Sequence, residues 1–308
     1  MSPTTLVREK TNDYTHHDQL FKQLIHLFFE EFLEAFFPDV HQHIDFTAIH
    51  PLSEEVFTDL FEGESRRADI VIETKLKGAE TLLIIHVEPQ SYTQPEFHER
   101  MYHYFSLLYN KYRKPILPIA VFSYDEYRNE QDTFTIAFPF LHVLTFNFLM
   151  LELKKLDWRS YIKSNNPVAA ALLSKMGYNE KEKVQVKKEF LRMIARMELN
   201  PAKARYINDF FERYLILNKI EEEELMKEIN ELDNAEEIFK LTNSWEEKGI
   251  EKGIEKGIEK GIEKGKRAEK RKIALEMLKE GSSADFVAKV TKLDIDEIEE
   301  MKVQFKEQ

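Results

Sequence analysis

The sequence predicts an N-terminal α/β or α+β unit followed by a helical one, and three observations carry that expectation. An aromatic-rich run with helical spacing comes first. Short segments rich in β-branched and aromatic residues follow, interrupted by a second helical run, and from about Leu149 to Asn243 almost everything has helical spacing. A chain of 308 residues that is 43% hydrophobic has enough apolar side chains for a sizeable core. Its length suggests about two units of roughly 150 residues.

From Asp18 to Phe37 apolar residues recur at Phe21, Leu24, Phe28, Phe32 and Phe36, which predicts one amphipathic helix stopped by Pro38. Ile44–Ile49, Arg67–Leu76 and Thr81–Gln90 have strand composition, with Glu55–Leu60 as a further candidate, and together they predict a β-meander. Glu96–Tyr112 returns to helical spacing through Phe97, Met101, Phe105, Leu108 and Tyr112, and Pro115 breaks it. Ile116–Phe122 has the length of a buried strand, and Thr133–Phe138 is another strand candidate.

Between Gly249 and Gly265 the tetrad Gly-Ile-Glu-Lys repeats. On helical geometry a four-residue period advances about 400° per repeat, so Ile250, Ile254, Ile258 and Ile262 form a slowly precessing ridge. Each Gly costs about 1 kcal/mol relative to Ala, so a linker or a self-associating helix is expected rather than a catalytic part. Three short helices follow, over Lys270–Glu280, Ser283–Val290 and Asp294–Lys302. Gly281 is a C-cap candidate, and Ser283 and Asp294 are N-cap candidates.

Composition excludes several function classes. The chain has no cysteine, which removes disulfide frameworks, thiolate zinc sites and Cys nucleophiles and fits a reducing, cytoplasmic setting. A net charge of -12 argues against binding DNA by electrostatics alone, so any nucleic-acid contact must be local or metal-bridged. The N-terminal segment has no signal-peptide apolar stretch, and no window approaches a membrane span, so a soluble chain without a membrane partner is expected.

The strongest candidate chemistry lies in one hairpin. Leu76-Lys77-Gly78-Ala79-Glu80 suits a two-residue turn of type II′ starting at Gly78. If Lys77 closes that turn against Glu80, Ile72 lies opposite Ile85, Ile70 opposite Val87, and Asp69 opposite Glu88. Directly opposed residues have Cβ atoms roughly 4.5 to 5.5 Å apart, close enough for two carboxylates to hold one hard cation. Gln90 shares the face of Glu88. The reverse face, with Ile70, Ile72, Leu76, Leu83, Ile85 and Val87, is almost wholly apolar and is expected to pack on a helix.

RRADIVIE followed by IIHVEPQSY resembles the PD-(D/E)XK nuclease pattern. With HHDQLFKQL before it and FHERMYHYF after it, the chain is more specifically similar to the Rpn family of recombination-promoting, transposase-like nucleases. The resemblance covers roughly Asp18–Phe138. It implies an α/β restriction-endonuclease-like core, a mixed sheet flanked by helices, with an all-helical C-terminal extension. It also implies metal-assisted hydrolysis of DNA phosphodiesters with Mg²⁺ or Mn²⁺. In that resemblance Asp18 is the helix acid and Asp69 and Glu88 are the metal-binding pair. Gln90 takes the position usually held by Lys, and Pro89 sits inside the motif. Lys22 and Arg100 are then the phosphate contacts, with Tyr104 one turn beyond Arg100.

Simpler roles exist for each residue. A strand Asp/Glu pair is commonly just solvated, Asp18 and Lys22 have the spacing of an exposed helix pair, and Tyr104 suits a core edge. His98 and His103 are five apart and do not stack on one helix face. A helix-turn-helix reader starting from Lys266, Arg267, Lys270, Arg271 and Lys272 is disfavoured by the acids of the last segment. The resulting division is a nuclease-like domain over 12–148, a helical extension over 149–245, the repeat linker over 246–268 and a small helical module over 269–308. The competing reading, favoured by Gln90 and by the acidic charge, is a catalytically degenerate nuclease fold that forms a homo-oligomer or binds a partner through the helical and repeat segments.

Overall fold

The structure, a computed structural model, describes residues 17, 19–52, 70–78, 82–90 and 96–306; for 82–84, 86–90, 243–264 and 303–306 the description is of the backbone. The chain is a mixed α/β protein that divides into two compact units, Met1–Ile238 and Phe239–Gln308. The expected strand at Glu55–Leu60 lies outside the described residues.

In the first unit a helix over 19–27 (α1) runs into α2 (Phe29–Phe36). The sequence predicts one helix here, and the structure kinks it at Phe28, whose φ of -131° leaves the helical range. Backbone bonds from Phe28 N–H to Leu24 O and from Phe32 N–H to Phe28 O carry the ladder across the kink. Pro38 does more than end the run: it is the first residue of a short helix α3 (Pro38–His43), where its missing N–H costs nothing.

Strands β1 (Ile44–Pro51), β2 (Ile70–Leu76) and β3 (Leu82–Gln90) form the expected antiparallel meander. Helix α4 (Phe97–Tyr112) then leads to β4 (Ile116–Phe122), which pairs parallel to β3. Arg113, with φ of 52°, caps α4 by donating its N–H to Tyr109 O, so the helix stops before Pro115. Two strands were not anticipated. Residues 141–147 form β6 (Leu141–Asn147), which pairs with β5 (Thr133–Phe138) in a separate hairpin. Leu149–Glu152, expected to begin the helical region, is instead β7, parallel to β4 at the edge of the five-stranded sheet β1-β2-β3-β4-β7.

Both faces of the sheet are covered, not only the Ile70/Ile72 face. Ile70, Ile72 and Ile85 are buried, and so is Val71, which packs with Leu108 of α4. Farther along α4, Phe97 and Met101 form a cluster with Ala120 and Phe122 of β4 and with Tyr124, Phe146 and Phe148. The β5–β6 hairpin closes over that helix through the Tyr102–Phe134 stack and the Phe105–Phe146 contact.

Helices α5 (Pro167–Leu172), α6 (Lys183–Arg196), α7 (Pro201–Tyr214) and α8 (Lys219–Asn230) complete this unit. Phe190 of α6 stacks on Phe211 of α7 with ring centroids 3.9 Å apart. The N-terminal helices dock here: Phe21 lies edge-on to Phe210, and the Tyr206 hydroxyl donates to Leu20 O.

The repeats lie within a continuous helix α9 (Ala235–Lys279), most of which belongs to the second unit, and the helix expected to begin at Lys270 is its continuation. Gly281, with φ of +85°, ends it, and Ser282 N–H returns to Met277 O in a Schellman-type closure. Ser283 and Asp294 cap the turns into α10 (Ala284–Thr291) and α11 (Ile295–Lys306), as their positions predict. Ala274, Leu278, Val287, Ile298 and Met301 form the local core. Arg267 and Arg271, two of the cations considered for a DNA reader, pair instead with Glu297 of α11. Among the described residues no helix is long and apolar enough to cross a membrane.

Asn166 joins the helical part to the N-terminal helices. Its Oδ1 accepts from the N–H groups of Val168 and Ala169, and its Nδ2 donates to Glu31 O at 2.7 Å and Glu34 Oε2 at 2.9 Å. Asn166→Ala removes a cap and leaves buried groups unpaired, so a loss of about 2 to 4 kcal/mol is expected in urea unfolding. A loss below about 0.5 kcal/mol contradicts this role.

Candidate active site

The β2–β3 pairing follows the predicted register, with Ile70 opposite Val87 and Ile72 opposite Ile85. Gly78 has φ of +74°, the positive value that a type II′ turn needs at its first central residue. On its other side β3 pairs with β4, Glu88 opposite Ala120 and Gln90 opposite Phe122, and Phe122 in turn lies opposite Glu152 of β7. Three parallel strands therefore end in one row at Gln90, Phe122 and Glu152. In open α/β sheets ligands bind outside such carboxyl ends.

The sequence-predicted residues fall as follows. Asp18 and Asp69 lie outside the described residues. Glu88 and Gln90 are described by backbone alone, at the end of β3. Lys22 is partly buried on α1. Arg100 is partly buried on α4 with its guanidinium 4.8 Å from the Phe97 ring centroid and 5.9 Å from that of Tyr104. Because Phe97 meets Phe122 with ring centroids 4.8 Å apart, Arg100 belongs to the end of the sheet where β3 and β4 stop. Tyr104 is only 4% exposed and supplies a ring face to Arg100 from within the core. His98 packs against Phe134, and His103 Nε2 lies 3.7 Å from Glu99 Oε1.

A second group of residues gathers at the same edge and was not singled out in the sequence. Beyond β4 come Ser123, Tyr124 and Asp125, and beyond β7 comes a 3-10 turn, Leu153–Lys155. Lys155 Nζ bonds Glu152 Oε2 at 2.7 Å and Asn129 Oδ1 at 3.1 Å, while Lys154 Nζ stands 5.2 Å from the Tyr178 ring centroid. Gly177 lets this chain segment pass close by, because a Cβ there would meet Lys154 O at 2.6 Å. Lys175, 7% exposed, donates to Asp125 Oδ1 at 2.5 Å and places Nζ 5.1 Å from the Tyr214 ring centroid. Tyr214 in turn contacts Phe21 and His17, with the His17 ring centroid 5.0 Å away.

Burial pushes the Lys175 ammonium below its ordinary value, while the Asp125 carboxylate opposes the shift. Burial, with the Glu130 charge behind it, pushes the Tyr124 phenol well up. One sequence signal for Lys175 exists: it is a lone cation closing the run VAAALLSKM, where a buried charge requires a partner.

No family model, curated protein or solved structure matches the chain.

The Tyr178 hydroxyl donates to Ser174 O at 3.0 Å, and burial pushes its pKa up to about 12. The native state keeps this proton where the unfolded chain has lost it. The stability tied to it is therefore complete below pH about 10 and disappears as pH rises toward about 12. Tyr178→Phe should flatten the fall of unfolding free energy across that window, measured by urea titration at successive pH values. An unchanged slope contradicts the assignment.

Proposed function

We propose that this chain is a divalent-metal-dependent DNA endonuclease with a PD-(D/E)XK core, hydrolysing phosphodiester bonds in recombination or mobile-element processes. The β2–β3 register carries the reading. The register expected from the sequence sets Asp69 against Glu88, and the described part of the ladder, from Ile70 opposite Val87 to Lys75 opposite Leu82, agrees with it; Glu88 itself stands where β3 reaches the carboxyl edge shared with β4 and β7. The element order supports the same core: helix, antiparallel meander, helix, then a strand parallel to the third.

The donor chemistry fits Mg²⁺ or Mn²⁺, because Asp69, Glu88 and a backbone carbonyl near Pro89 offer hard oxygen ligands and the chain contains no thiolate. When bound, such an ion supplies Lewis acidity, lowering the pKa of a coordinated water and offsetting charge on the scissile phosphate. The Gln90 amide orients the attacking water or a phosphate oxygen by hydrogen bonding. Lys22 and Arg100 contact phosphates, Tyr104 backs the Arg100 guanidinium, and Asp18 adds a further acid. In the hydrolysis, the water oxygen bonds to phosphorus as the bond to the leaving sugar oxygen breaks. The water gives up a proton to solvent, and the leaving oxygen takes one up.

The cations Lys154, Lys155 and Arg128 near this edge give an acidic chain a local place to meet DNA. The competing reading, a catalytically degenerate fold that assembles through its helical and repeat segments, would gain a further surface from the β5–β6 hairpin, where Phe138, Phe140, Leu141 and Val143 are exposed.

Plasmid nicking with Mg²⁺, Mn²⁺, Ca²⁺ or EDTA tests the proposal. Cleavage should need Mg²⁺ or Mn²⁺ and fall by at least about 100-fold in folded Asp69→Ala and Glu88→Ala. Cleavage that survives both substitutions, or no cleavage by the unsubstituted chain, overturns it.

A further inference from the structure

We propose that Lys175 supplies, from the helical part of the chain, the ammonium that the β3 motif lacks at Gln90. The inference rests on the nuclease reading above. Hydrolysis of a phosphodiester gathers negative charge on the oxygens of the transferring phosphoryl group, and a fixed cation there stabilises the transition state more than the ground state. Gln90 offers hydrogen bonds but no charge.

Two chains of contact tie Lys175 to segments that adjoin the candidate site. Through Asp125 it is tied to the segment that leaves β4 three residues after Phe122, the register partner of Gln90. Through Tyr214 it is tied to His17, the residue before Asp18, and to Phe21 on α1. Lys175 is thus linked both to the carboxyl edge that carries Glu88 and Gln90 and to the helix that follows Asp18 in sequence.

The local chemistry also points to an oxygen ligand. An ammonium has three donors, yet among the described residues Lys175 Nζ has one hydrogen-bond acceptor, Asp125 Oδ1, with a Tyr ring face beside it. Its side chain is 6% exposed, whereas that of Asp125 is 92% exposed, so the carboxylate is a weakly held partner for a costly buried charge. A phosphate oxygen or the attacking water at this edge completes the set. Lys187, by contrast, pairs its ammonium with Glu212 between α6 and α7, whereas Lys175 bonds a residue of the segment that leaves the sheet's carboxyl edge.

The test is single-turnover cleavage by the full chain with Mn²⁺, alongside DNA affinity measured by anisotropy in Ca²⁺ and the thermal midpoint. Lys175→Met should lower the cleavage rate at saturating DNA by about 100-fold while DNA affinity changes less than about threefold. Lys187→Met is the structural control: it should lower the midpoint and leave the rate within about threefold. If Lys175→Met does not fold, Lys175→Gln, uncharged but able to bond Asp125, takes its place. Wild-type-like cleavage in the Lys175 variant, with Glu88→Ala inactive, overturns this inference alone. A rate loss that follows a matching loss of affinity or midpoint also overturns it. Equal cleavage by the unsubstituted chain and Glu88→Ala overturns the nuclease reading and this inference with it.

Discussion

The constraint on which the site depends is that β3 is paired on both sides in opposite senses. Its antiparallel pairing with β2 sets Ile70 opposite Val87 and Ile72 opposite Ile85, and its parallel pairing with β4 sets where Glu88 and Gln90 stand relative to the end of the sheet. A slip of one residue in either ladder would move every side chain of β3 to the other face. Such a slip would take Ile85, which is fully buried, out of the close packing it now has. Register is thus held by core packing, and the backbone positions of Glu88 and Gln90 at the edge inherit that precision.

The second requirement is a wall beyond the sheet, and the helical part provides it. Asn166 fastens α2 to the start of α5, and the aromatic contacts of Phe21 with Phe210 and Tyr214 fasten α1 to α7. Between these fixed points the short turn carrying Lys175 is brought against Asp125. Rigid helices on both sides limit the positions Lys175 can adopt, which is the arrangement a positioned cation needs.

Legibility in the sequence followed the strength of the local signal. The β2–β3 register could be read because a Gly at a turn and two alternating apolar strands specify the same pairing, and β4 because Ile116–Phe122 is a bounded apolar run. β6 was missed because Leu141 and Val143 put apolar residues on its exposed face and spoil the alternation, and β7 because four residues carry too little pattern. The kink at Phe28 was hidden by apolar residues continuing at helical spacing on both sides of it. Lys175 was missed for another reason: its neighbours Asp125 and Tyr214 are 50 and 39 positions away in the chain, a proximity that only the tertiary fold creates.

The opposition of residues 69 and 88 is the central claim, and the absence of native cysteine allows it to be measured directly. In a chain carrying Asp69→Cys and Glu88→Cys, mild oxidation should form an intramolecular disulfide quickly, since directly opposed strand residues have Cα atoms within the roughly 4.4 to 6.8 Å that a disulfide spans. The displaced pair Asp69→Cys with Gln90→Cys should form it much more slowly. Faster closure of the displaced pair, or none in the opposed pair while the protein stays folded, would contradict the account.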